Sequence, residues 1–155
     1  MKRLKAIVGG IAAGGLAGCA LSLSGAAEAQ SSKGGSSAML PANLTGRAVV
    51  PGPADPDGSG TARITFVEGA QNVCFELSVR NIQSATMAHI HGGKASDVGG
   101  PPLVILGTPT TGESSGCASA PQPLVDAIKA DPSNFFVTVH NAEFPGGAVR
   151  GQFGS

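Results

Sequence analysis

His89, His91 and His140 are the three histidines of this 155-residue chain. The His-x-His spacing sets His89 and His91 on one face of an extended strand, opposite Ala88 and Ile90, because strand side chains alternate with period two. By the same alternation His140 lies on the face opposite Phe135, Val137 and Val139. If the apolar faces point inward, all three imidazoles point away from the core. Two rings from one strand and one from another make a workable chelate. Neutral imidazole nitrogen suits zinc or copper, with water or a carboxylate completing the shell. A plainer use stands beside this one: the same rings can hydrogen-bond and pin the neighbouring glycine-rich loops, Gly92-Gly93 and Pro145-Gly146-Gly147. Arg150 and Glu143 are the candidates to support the site, Arg150 either pairing with Glu143 or lining the site.

No residue is assigned a catalytic role. Gly112-Glu113-Ser114-Ser115-Gly116 fits the hydrolase pattern G-x-S-x-G. That motif needs a strand before it, a helix after it and a much larger sheet; here the context is loop. Asp55-Pro56-Asp57-Gly58 hints at calcium but lacks the remaining oxygen ligands, and reads as a turn. Glu143 as a general base has no carboxylate partner nearby in sequence, which makes it a solvated loop acid by default. Asn43-Leu44-Thr45 is a glycosylation sequon only in a host that glycosylates secreted proteins.

The elements that must position the histidines are strands. Leu44–Val50 reads as the first, ended by Pro51-Gly52-Pro53. Thr61–Val67 and Val73–Arg80 alternate apolar and polar residues across a short turn and make a hairpin. Thr86–His91 and Leu103–Leu106 follow, then a long loop over Gly107–Ala120. Pro123–Ala130 is the helical candidate, stopped by Asp131-Pro132. Phe135–Asn141 and Ala148–Phe153 are the last strands, joined by a turn at Phe144–Gly147. The fold class is all-β: a small antiparallel sandwich, Greek-key-like, with one short helix.

Composition narrows the function. Ten basic residues balance ten acidic ones, and charged residues make up 13% of the chain. That balance, with no Lys/Arg run beyond the first five residues, argues against a nucleic-acid binder, which would show a clustered basic face. Lys2, Arg3 and Lys5, an apolar stretch to Leu23 and Ala27-Glu28-Ala29 form a secretory signal over residues 1–29. Leu16-Ala17-Gly18-Cys19 offers an alternative, a lipoprotein signal over 1–18 with Cys19 lipidated, which would be the chain's sole link to a membrane. The expected location is secreted or periplasmic, or lipid-anchored at the envelope. Residues 30–39 read as a flexible linker and 40–155 as the domain. Cys74 and Cys117 remain as an even pair, most simply one disulfide in an oxidising compartment; a catalytic thiol is the alternative.

His89-Ile90-His91-Gly92-Gly93, Gly99-Gly100-Pro101 and the stretch from Phe135 to Phe153, with its Val-His and Phe-Pro-Gly-Gly-Ala-Val-Arg-Gly-Gln segments, resemble the CHRD domain named from chordin. The resemblance runs from about Leu40 to Phe153. It implies an all-β extracellular module whose role in bacteria is undefined. A looser resemblance links His89, His91, His140 and Arg150 to the copper ligands and active-site arginine of copper/zinc superoxide dismutases. The bridging histidine and zinc ligands of those enzymes have no counterpart here. The leading expectation is therefore an exported binding or structural module, its three histidines holding copper or zinc. A copper-dependent redox enzyme and a metal-free envelope protein are the alternatives. Partners would be an extracytoplasmic protein or polysaccharide.

Overall fold

A computed structural model describes residues 38–67 and 69–154; the segment expected to be a secretory signal, Cys19 and most of the expected linker lie outside the described residues. The chain forms β1 (Ala38–Thr45), β2 (Ser59–Phe66), β3 (Asn72–Arg80), β4 (Ala85–Gly92), β5 (Val104–Leu106), β6 (Glu113–Ser119), helix α1 (Gln122–Ala130), β7 (Phe135–Asn141) and β8 (Val149–Gln152). All pairings are antiparallel, in the order β5-β4-β7-β8-β1-β2-β3-β6. The two outermost strands, β5 and β6, approach each other, so the single sheet rolls into a near-barrel. The links β3–β4, β5–β6 and β6–β7 cross between the ends of this order, which gives the Greek-key character expected of a small all-β fold.

The alternating residues fill the inside. Leu44, Ile64, Phe66, Val73, Ile90, Val137, Val139 and Val149 are buried in one core. Each such side chain contributes about 1.5–3 kcal/mol on leaving water. The β2–β3 hairpin forms as expected, in continuous register from Ser59↔Arg80 to Phe66↔Val73. Helix α1 starts with Pro123 in its first turn, where the missing N–H costs nothing, and buries Val125 and Ile128. Asp131 ends it, accepting hydrogen bonds from the Ser133 hydroxyl at 2.6 Å and the Asn134 amide at 2.5 Å.

Two expectations are corrected. The first strand is not Leu44–Val50 but Ala38–Thr45, after which Gly46–Ala48 form a 3-10 turn. Gly46 lies so close to the Asp55 backbone that any side chain there would collide with it, so the chain bends where an extended reading would continue. The second correction is the Gly107–Ala120 loop, which contains strand β6. Its sequence Glu-Ser-Ser-Gly-Cys-Ala-Ser shows no apolar alternation because most of it is exposed. Main-chain pairing with β3 and the Cys74–Cys117 disulfide hold it, the two cysteines standing directly opposite in register. The serines of the G-x-S-x-G segment thus sit on an edge strand rather than at a strand-to-helix elbow. Asp55 is a turn residue, its carboxylate accepting the N–H groups of Asp57 at 3.3 Å and Gly58 at 2.9 Å.

Candidate metal centre

Register brings the histidines together. On β4 and β7, His89 faces Thr138 and His91 faces Phe136, with His140 across from Met87. On β7 and β8, Thr138 faces Arg150 and Phe136 faces Gln152. Partners across a sheet share a face, so these residues line the side opposite the core. The three imidazoles do point away from the core, yet they are 8%, 9% and 8% exposed. Loops roof them. One nitrogen from each ring lies within 4.8 Å of the others, and the centroids of His89 and His140 are 5.2 Å apart. Tetrahedral metal–imidazole bonds of about 2.0–2.1 Å would hold the nitrogens about 3.4 Å apart, so the rings must draw inward to share one ion.

The protons on two rings follow from their partners. His91 Nδ1 lies 2.9 Å from the Gly100 carbonyl, and His140 Nδ1 lies 3.0 Å from the Pro145 carbonyl. A carbonyl can only accept, so each Nδ1 carries a hydrogen and donates it. In the neutral ring the other nitrogen is then a bare lone pair. Both Nε2 atoms are buried with no hydrogen-bond partner among the described residues, as is Nδ1 of His89. A buried polar atom without a partner costs about 1–3 kcal/mol, and three in one cluster are a large expense unless something binds them. Imidazoles oriented through one nitrogen by a backbone carbonyl, with the other nitrogen free, are how proteins present histidine to a metal. Burial pushes the pKa of His89 below its ordinary value, helped by His140 and His91. Burial also lowers that of His140, against the bond to Pro145 and with His91 adding to the fall. Both shifts keep the rings neutral, the form that ligates.

The pinning role and the ligand role are compatible, because each uses a different nitrogen. The first of the pinned loops, after β4, is also tied down by residues from β8. Arg150 is 2% exposed and donates to the carbonyls of Asp97 and Lys94, each at 2.6 Å. Its guanidinium lies 3.5 Å from the centre of the Phe136 ring, which stacks on His91 at 5.3 Å and 14°. Burial lowers the pKa of Arg150, Asp97 opposing. The Gln152 amide nitrogen lies 2.8, 2.7 and 2.9 Å from the Gly93, Ser133 and Phe135 carbonyls, its two N–H groups shared among the three. Gly99 has to be glycine, with a φ of +80° and a Cβ position that would fall 2.5 Å from the Phe136 ring. Gly147, at φ +139°, closes the other loop with its N–H on the Phe144 carbonyl.

Arg150 lines a small cavity of about 50 Å³ together with His91, Thr138 and His140. The alternative pairing with Glu143 is not made. Glu143 is in the exposed turn after β7 and accepts a hydrogen bond from Gln83 at 2.7 Å. Sequence reasoning passed over Phe136, Thr138 and Gln152. The signal was available in the alternation of Phe136, Thr138 and His140 on one strand, and of Arg150 and Gln152 on the next.

No curated protein and no solved structure matches the chain. The model of the CHRD domain family matches residues 40–153, nearly the whole described region. Its span takes in the His-x-His strand, the glycine loops and the Arg-Gly-Gln strand that together build the cluster, and the chain belongs to the CHRD domain family.

Proposed function

We propose that this CHRD domain is an exported metal-binding module in which His89, His91 and His140 hold one copper or zinc ion. The observation that carries the reading is the set of three buried ring nitrogens with no partner among the described residues, two of them aimed by carbonyls behind the ring. Export is supported by the leader-like residues 1–29 and by the Cys74–Cys117 disulfide, which persists in oxidising compartments. Among the described residues no helix is long and apolar enough to cross a membrane.

Elemental analysis of the mature domain, purified from an exporting host without an affinity tag, tests it. About one metal per chain is expected, lost in His89→Ala and His140→Ala, as removal of a ligand should do. A domain that takes up no copper or zinc on titration overturns the reading and leaves the histidines as loop pins in a structural domain. Its partners would then be sought among extracytoplasmic proteins and polysaccharides.

The cavity of about 50 Å³ beside His91 and His140 supports a second reading, a copper-dependent redox enzyme acting on a small oxygen species. It leaves room for one small molecule at an open metal position. Copper-loaded protein that is inert toward superoxide removes that reading.

A further inference from the structure

The three rings have two flanks. On one, the Val49–Val50 segment, Val98 and Gly100 enclose the small cavity with Arg150. On the other stands Met87. It is the direct cross-strand partner of His140 and precedes His89 by two residues on the same face of β4. Directly opposed side chains start from Cβ atoms about 4.5–5.5 Å apart, well within the reach of an unbranched thioether. The ladder shifts register between Ala85 and Met87, and Ala85 turns into the core at 3% exposure. Met87 is therefore the last outward residue before the strand reverses its faces. Such irregularities commonly re-aim a side chain beside a site. Met87 is 44% exposed, so its thioether is open to solvent and to an incoming ion.

Resting on the three-histidine reading, we infer that Met87 supplies a fourth, thioether ligand and that the ion this site is built for is monovalent copper. A thioether is a soft donor. It adds affinity for Cu(I) and its closed-shell analogue Ag(I), and almost none for Zn(II). Met87 is 44% exposed beside the roofed rings, so an ion reaching its thioether need not unroof the loops that Arg150 and Gln152 hold.

The test titrates the full mature domain, Met87→Leu and His140→Ala with Ag(I), with Cu(I) supplied as its acetonitrile complex, and with Zn(II). Leucine at an exposed strand position leaves the fold intact, which thermal melting checks. Met87→Leu should lose at least about tenfold in Ag(I) and Cu(I) affinity, no less than an outer partner of a ligand is worth. Its Zn(II) affinity should stay within about twofold, since zinc gains little from a thioether. In the unsubstituted domain the Met87 methyl resonance should shift on adding Ag(I) while that of exposed Met39 stays in place. If Ag(I) binds equally well to Met87→Leu, or binds without moving the Met87 methyl, the thioether ligand is wrong and the three-histidine site stands. If no ion binds the unsubstituted domain, the three-histidine reading fails and this inference with it.

Discussion

Two parts of one sheet turn polar faces away from the core and meet opposite environments. On β2, β3 and β6 the outward residues include Arg63, Glu76, Cys74 and Cys117. Arg63 and Glu76 pair across the strands at 3.6 Å with their side chains 62% and 69% exposed. On β4, β7 and β8 the outward residues His89, His91, Thr138, His140 and Arg150 are each no more than 9% exposed, Met87 at the end of this face being the exception at 44%. Strand alternation is the same in both places. The difference comes from the loops, since Lys94–Gly100 and Phe144–Gly147 are tied across the second face, while among the described residues no loop covers the first. An uncovered polar group bonds to water and demands nothing of its neighbours. A covered one must find a partner within the protein. That is why bare nitrogens carry information on the roofed face and would carry none on the open one.

If the two faces are independent, the largest change available on the open face should leave the roofed one alone. Cys74→Ser with Cys117→Ser opens a loop closed by a bridge between residues 43 apart in sequence. The chain-entropy model gives a loss of about 4 kcal/mol. Denaturant unfolding should show that loss, while the folded double variant keeps its metal stoichiometry. A folded variant with weakened metal binding would mean that the faces are coupled through the rolled sheet.

A smaller loss is expected from within the roof. Phe136→Leu keeps an apolar side chain but removes the ring between His91 and Arg150, at about 2 kcal/mol from lost packing and the cation–π contact. The distinguishing readout is local. Trypsin should cut after Lys94 faster in this variant than in the parent, because the Arg150 bonds to Lys94 and Asp97 lose their platform. Unchanged cutting would show that the two hydrogen bonds alone hold the loop.

Much of this was legible in advance, and the exceptions have physical causes. The hairpin and helix α1 announce themselves through apolar spacing, because each buries one face, while β7 does so through its run of Phe and Val although both its faces are covered. β6 does not, because Ser115 and Cys117 are exposed and Gly116 offers no side chain. It pairs through its backbone, which a side-chain pattern cannot report. The outward facing of the histidines could be read from period two. Their burial could not, since it depends on a loop crossing from Gly92 to Gly100 and on what Arg150 and Gln152 grip at a distance of more than fifty residues. The pairing of Arg150 with Glu143 was a reasonable expectation from charge alone. The guanidinium instead found carbonyls, which are strong acceptors and were already fixed beside it.

The smallest effect concerns protons, and it separates the faces by pH. His89 and His140 have lowered pKa values, chiefly through burial. In the unfolded chain both would take up a proton near the ordinary value of about 6.5. Between that value and the lower folded values the unfolded state binds more protons, so stability of the metal-free domain falls as pH falls through this window. Above it both states are neutral at these rings, and the dependence vanishes. Unfolding measured across about pH 5.5–7.5, mostly above the range where carboxylates titrate, should show this slope. A variant with His89→Gln and His140→Gln should flatten it. Bound metal should steepen it, because protons and the ion compete for the same lone pairs. A metal-free domain whose stability rises toward acid would contradict the burial argument. It would mean that the roof opens readily enough for water to reach the rings.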